Sequence, residues 1–474
     1  MLNQYIIDKF MIKKLLCFAL AVSACIAVHG QKWPYISPEE EDVRESVTRW
    51  QDLKFGLFLH WGTYSQLGVI ESWTLCPELT EWEYKGRPAG MTYMEYLRFY
   101  EHLKDTFNPI RFDPGKWAEA AEYAGMKYVV FTTKHHDGFN MFDTKLTDYK
   151  VTDEGCLFHS DPRSNIAKEV FNAFRNKGLK AGAYFSIADW HNNDYWWKFI
   201  SPKDRYINYD PARWPEKMTA FEDYVEGQVR ELTNGDYGKI DLMWLDLCEI
   251  SETYQINFPW GRIAAAAREG QPGMITVARG THSSYENYLT SELKIPQEVW
   301  HCPWETCMPM TQSWSYNRQP EYKSTQTLLN MLVQTVARGG NFLLGVGPSP
   351  LGTFDEEIYE RLHEMGDWMR VNSEGIYGTR PVSPYQEGNV YFTAKDEYVY
   401  AFYAAEEGQN ELPDKIFIGN VVPRESYVTM LGSNVRLRWK QSGDGVYVNI
   451  PESLRKKAPC DYIFCLKMRI NSGE

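Results

Sequence analysis

The chain has 474 residues, of which 43% are hydrophobic and 15% aromatic, with a formal net charge of −13. That length predicts one large domain with a smaller one beside it. The acidic balance, with no cluster of Lys and Arg, argues against a nucleic-acid partner, because a phosphate backbone needs a basic face. Trp and Tyr offer flat faces with a hydrogen-bonding edge that suit a sugar ring, although a large α/β core also uses many of them.

Residues 11–31, MIKKLLCFALAVSACIAVHGQ, set Lys13 and Lys14 before an apolar run from Leu15 to Ala24 and then small residues. This is the pattern of a cleaved secretory signal within residues 1–30, too short to span a bilayer. Met11 is the better start, since the ten residues before it carry Asp8 and lack signal character. Val22-Ser23-Ala24-Cys25 resembles a bacterial lipobox, which would leave Cys25 lipidated and the protein anchored in the outer membrane. Val28-His29-Gly30 before Gln31 suits ordinary signal peptidase, and the preferred expectation is an exported, periplasmic product. Seven cysteines remain beyond the signal, an odd number that implies no disulfide framework. Cys302 and Cys307, in CPWETC, lack a second pair at zinc-binding distance.

Through the next three quarters, apolar runs end in polar clusters and helical patterns follow. The runs are 55–59, 128–132, 180–185, 240–245, 274–278 and 341–346. Helical patterns such as 114–125 and 165–178 each close on a glycine. This alternation predicts a parallel sheet, doubly wound or closed into a barrel. Polar groups follow several different runs: His60, the cluster His135–Asp137, Ser186 with Asp189, Asp246 and Arg279. Function at the C-terminal ends of many strands is the habit of a (β/α)8 barrel, and no GxGxxG or GxxxxGK[ST] follows any run. The expected fold is therefore a (β/α)8-like, TIM-type barrel over residues 31–381. From Val390 onward short alternating segments separated by turns predict a small C-terminal antiparallel β-sandwich, residues 382–474.

The run 128–131 ends in Lys134, His135, His136 and Asp137, so the strand end is expected to open into a solvated polar cavity. Adjacent histidines on an extended segment point to opposite sides, which disfavours one shared metal and leaves hydroxyl binding or a structural role. In KIDLMWLDLCEI, Asp246 is either a nucleophile beside the wall of Trp244 or the N-cap of a following helix. Glycoside chemistry needs a second carboxyl across the bond, and Glu286, Glu292 and Glu305 all stand downstream.

FGLFLHWGTYS (55–65), TTKHHDGF (132–139), AYFSIADW (183–190), DLMWLD (241–246), WETCMPMTQSWSYN (304–317), GGNFLLGVGPSPLGTF (339–354) and GIYGTRP (375–381) resemble, in order, the signatures of the retaining α-L-fucosidases, glycoside hydrolase family 29. The resemblance covers residues 38–381, and the trailing sandwich fits it. It implies an exo-acting hydrolase that removes terminal α-L-fucose from glycans or oligosaccharides through a covalent glycosyl-enzyme, with no metal or organic cofactor.

It also implies that His60, His135, His136 and Tyr184 hydrogen-bond the sugar, that Trp73 borders it, and that Glu71 is the nearby polar contact. Asp246 would be the nucleophile with Trp244 beside it, and Arg279 would help keep it ionised. Glu292 is the preferred acid/base and Glu305 the alternative. Three departures stand out: Leu247 where the family usually has Gly after the nucleophile, Val277-Ala278 for Asn-Asp before the arginine, and Gly345 for Asn. The first predicts a different turn after Asp246. Together they leave the catalytic groups in place but keep a shifted, galactoside-like specificity in view; a non-catalytic fucose-binding protein is the rival from another class, and Asp246 with two candidate acids stands against it. Nothing in the sequence sets the number of subunits, so a homo-oligomer stays open.

Overall fold

A computed structural model describes residues 34–77, 88, 90–409 and 411–470. The signal segment and the lipobox Cys25 lie outside the described residues. Eight parallel strands form the first sheet: β1 Phe55–Leu59, β2 Tyr128–Lys134, β3 Lys180–Ser186, β4 Leu242–Asp246, β5 Ile275–Ala278, β6 Leu289–Glu292, β7 Trp304–Pro309 and β8 Asn341–Val346. Their order, β5-β4-β3-β2-β1-β8-β7-β6, is that of a barrel opened between β5 and β6. The gap is spanned by 285–288: Asn287 N–H donates to Thr276 O at 3.0 Å and its side-chain oxygen accepts from Thr276 N at 2.8 Å. The barrel is thus nearly closed.

Six of the eight strands coincide with the apolar runs. β6, reading LTSE, is short and half polar, and β7, WETCMP, is a buried strand interrupted by Glu and Thr, so neither presents an apolar run. The helices Pro114–Tyr123 and Ile166–Asn176 stop just before Gly125 and Gly178, which take φ of 85° and 78°.

Side chains alternate across each strand, so every second residue enters the barrel. Phe58, Tyr128, Val130, Tyr184, Trp244, Val277 and Leu343 form the interior cluster. Helix Glu41–Gln51 plugs its floor with Val43, Val47 and Trp50, spaced as one helical face, and Trp50 stacks on Tyr288 with centroids 3.9 Å apart. The outward residues Phe55, Leu57 and Leu59 join the larger cluster under the helices. The same period places the next inward residues at the strand ends: Phe58 is followed by His60, Tyr184 by Ser186, Trp244 by Asp246, Val277 by Arg279 and Thr290 by Glu292. The fold converts a two-residue repeat into a ring of polar groups above an apolar plug.

The second sheet is antiparallel: β9 Arg380–Glu387, β10 Val390–Lys395, β11 Tyr398–Ala404, β12 Lys415–Ile418, β13 Tyr427–Met430, β14 Arg436–Ser442, β15 Gly445–Asn449 and β16 Ile463–Arg469, ordered β12-β15-β14-β13-β16-β11-β10-β9. Phe392 and Val399 near one edge share a core with Ile416 and Val446 near the other, so the sheet folds over itself as a sandwich. It is tied to the barrel by Trp368 Nε1 donating to Ile463 O at 2.8 Å and Gln326 Nε2 to Ala405 O at 3.1 Å.

Candidate active site

A cavity of about 330 Å³ opens over the C-terminal strand ends and is lined by His60, Trp73, His135, His136, Tyr184 and Asp246, and also by Glu71, Trp244, Arg279 and Glu292. A wider groove of about 890 Å³ lies among helix residues on the outer wall, away from these ends.

Asp246 is the last residue of β4, and the next helix starts only at Trp260, so the N-cap reading falls. Its Oδ1 accepts from Arg279 Nη1 at 2.8 Å and its Oδ2 from Tyr184 Oη at 2.8 Å. Burial pushes this carboxyl up, but the Arg279 charge and the hydrogen bonds from Tyr184 and Leu247 N–H outweigh it, and the pKa stays below the usual value. Arg279 also bonds Glu292 through Nη2 and Thr290 Oγ1 through Nε at 3.0 Å, and its guanidinium lies 5.0 Å from the Trp244 ring. One guanidinium therefore bridges two carboxylates on neighbouring walls of the cavity.

His135 and His136 do not point to opposite sides as an extended pair would. β2 ends at Lys134 with a register shift against β3, the chain turns, and the two rings sit 4.0 Å apart in the same cavity. Burial, with neighbouring positive groups, holds both well below the ordinary histidine pKa, as it does for His60, and all three are neutral at neutral pH. The 4.0 Å approach of His136 Nε2 to Asp246 Oδ2 is accordingly no ion pair. Lys134 and Asp137 do not face the cavity at all. Lys134 turns back to Asp189 and Gln228, both at 3.2 Å, and Asp137 accepts from Tyr100 Oη at 2.7 Å. Of four ionisable groups at the strand end, two serve the cavity and two are buried in pairs.

The three candidate acids part company. Glu286 is 4% exposed and accepts from Gly280 N–H at 3.0 Å and His282 N–H at 3.1 Å, tightening the loop behind Arg279. Glu305 is fully buried in the barrel interior below the cavity. It accepts from Trp244 Nε1 at 3.1 Å, Tyr128 Oη at 2.5 Å and Tyr288 Oη at 3.2 Å. Burial still pushes its pKa up to about 7. Glu292 lines the cavity wall, its side chain 36% exposed. Glu71 is buried beside it, accepts from Ser315 N–H at 2.8 Å, and is pushed up to about 8 by burial, which keeps it protonated at neutral pH. Trp73 stands edge-on to His136 at 5.1 Å.

The geometry is accompanied by matches to known proteins. Residues 22–374 match the family model described as alpha-L-fucosidase, and residues 384–469 the alpha-L-fucosidase C-terminal domain. The chain belongs to the α-L-fucosidases, glycoside hydrolase family 29. As a member it is a glycoside hydrolase. Human plasma alpha-L-fucosidase is 27% identical over 455 residues, 91% of either chain, and the plasma enzyme of Rattus norvegicus is 29% identical over 448 residues, 90% of this chain and 92% of its own. Among solved structures, alpha-L-fucosidase isoenzyme 1 from Paenibacillus thiaminolyticus superposes with a TM-score of 0.73 at 26% identity, covering 91% of this chain and all of that one. The Thermotoga maritima alpha-fucosidase in complex with fucose gives 0.70 at 26% identity over 92% of this chain and all of its own.

Two of the departures from the fucosidase pattern acquire a physical account. Leu247 sits at φ 46°, in the left-handed region, so the turn after Asp246 is one that a glycine would also adopt. Leucine carries the strain of this turn. Gly345 faces Trp314, a cavity residue that motif reasoning passed over: a Cβ there would lie 2.7 Å from the Trp314 ring. That ring stacks on His60 at 5.2 Å. Nothing in the structure explains Val277-Ala278. Gly345→Asn is expected to displace Trp314, lowering stability by about 1–3 kcal/mol and raising KM for an aryl fucoside. Thermal melts and steady-state kinetics check this, and wild-type values in both would show that the ring shifts freely.

Proposed function

We propose that this chain is an exo-acting, retaining α-L-fucosidase in which Asp246 attacks the anomeric carbon and Glu292 serves as acid and then base. The carrying observation is a carboxylate kept ionised by Arg279 and Tyr184, in one cavity with a second carboxyl and three neutral histidines. A cavity of about 330 Å³ closed below by aromatic rings fits one terminal sugar rather than the middle of a chain. His60, His135, His136 and Tyr184 would meet its hydroxyls, and Trp73 and Trp244 its apolar face.

Asp246 forms the covalent fucosyl ester while Glu292 gives its proton to the departing oxygen. Water then enters, Glu292 takes the proton back, and the anomeric configuration is retained. Arg279 couples the two steps. While Asp246 is charged the guanidinium is shared between the two residues; once Asp246 is an ester, Glu292 is the carboxyl partner left to it.

The substrate would be a fucosylated glycan or oligosaccharide met outside the cytoplasm, after removal of the signal. Aryl α-L-fucoside and aryl galactosides offered in parallel test the reading, with the product followed by NMR. Release of fucose as the α-anomer first is expected. Release from a galactoside alone, or of the β-anomer first, would overturn it.

A further inference from the structure

We infer that Ser186 and Ser72 fix opposite tautomers on the two adjacent histidines, so that His135 presents a hydrogen-bond donor to the sugar and His136 an acceptor. The inference deepens the fucosidase reading and rests on it for the identity of the ligand.

Ser186, the last residue of β3, is fully buried. Its Oγ lies 2.6 Å from Ala188 O and 2.7 Å from His136 Nδ1. A carbonyl only accepts, so the single hydroxyl proton goes to Ala188. Toward His136 the serine can then only accept, and Nδ1 must carry the ring proton. His136 Nε2 is left as a bare lone pair.

Ser72 reverses the arrangement. Its Oγ accepts from Asp137 N–H at 3.1 Å and lies 2.6 Å from His135 Nδ1. Ser72 is fully buried, and among the described residues no other acceptor lies within reach of its proton. Leaving that proton unpaired would cost a desolvated donor, so it goes to His135 Nδ1. The ring proton of His135 is then on Nε2. Both rings are neutral, which makes each tautomer a definite donor or acceptor rather than two donors.

The consequence bears on the nucleophile. His136 Nε2 and Asp246 Oδ2, 4.0 Å apart, are both acceptors. An arriving sugar hydroxyl donates to Nε2, and Asp246 keeps its free lone pairs for attack. With the other tautomer Nε2–H would reach toward the carboxylate and blunt it. Ser186 and Ser72 are thus positioning residues, touching no substrate themselves.

The test uses the full chain with 15N-labelled histidine and two-bond proton–nitrogen spectra, in which protonated and bare ring nitrogens resonate far apart. His135→Gln and His136→Gln assign the signals. The expected result in the free wild type is a proton on Nδ1 of His136 and on Nε2 of His135. Ser186→Ala should move the His136 proton to Nε2 and lower kcat/KM on aryl fucoside roughly tenfold or more, and Ser186→Thr, which keeps a hydroxyl, should restore the Nδ1 form. A wild-type His136 protonated at Nε2 would overturn the inference even if Ser186→Ala were too unstable to assay, and a His136 pattern unmoved in a folded Ser186→Ala would overturn it as well. Wild-type spectra as expected with no fucoside turnover would instead overturn its sugar-facing half, and the fucosidase reading with it.

Discussion

Asp246→Ala should lower kcat on an aryl α-L-fucoside by about 10⁴-fold or more, since a double displacement has no first step without its nucleophile. The loss is not one of folding. Arg279 keeps Glu292 and Thr290 as partners, so the buried guanidinium is not abandoned, and the stability cost should stay near 1–3 kcal/mol. A thermal melt separates the two effects. A slow 2-fluoro fucosyl donor provides the covalent counterpart: peptide mass mapping should find the label on Asp246 in the wild type and nowhere in the variant. Turnover above roughly one percent of wild type, or a label on another side chain, removes Asp246 from the role that Arg279 and Tyr184 are read as preparing it for.

How much of this was legible beforehand depends on which physical signal each residue emits. His60, Asp246 and Arg279 follow apolar strands by one inward step, so a period-two pattern ending in a polar group is enough to find them. Glu292 and Glu305 sit on β6 and β7, where the strands are LTSE and WETCMP and no such pattern exists; the need for a second carboxyl offers them together with Glu286, and only the family resemblance narrows the choice. Strand geometry does not give the orientation of His135 and His136, because it would have to run two residues past its end: β2 stops at Lys134. Lys134 and Asp137 were read with the cavity because sequence gives their charge but not their distant partners, Asp189, Gln228 and Tyr100. Trp314 lies 70 residues beyond Trp244, the nearest cavity aromatic along the chain, on the loop after β7, and its seat depends on the missing side chain of Gly345.

Glu292→Ala should cost about 10²–10⁴-fold with a poor leaving group and far less with an activated aryl fucoside, and added azide should restore the second step. Glu305→Gln should leave all of this untouched. The two carboxyls differ in what they can reach. Glu292 stands in the cavity wall, whereas both oxygens of Glu305 are engaged by Trp244, Tyr128 and Tyr288 beneath it. A proton donor must approach the departing oxygen, and Glu305 has no path to it past the Trp244 ring.

What Glu305 governs is stability. Its folded pKa is raised by burial from 4.5 to about 7, so between those values the folded state holds a proton that the unfolded chain releases. Stability therefore falls as pH rises through that window and levels off above it, by about 3 kcal/mol at most from this group. Glu305→Gln deletes the contribution, and unfolding measured from pH 4.5 to 7 should lose part of its downward slope while the pH profile of kcat is unchanged. Azide rescue of Glu305→Ala in place of Glu292→Ala would move the acid to β7 and require the aromatic floor around Trp244 to open during catalysis.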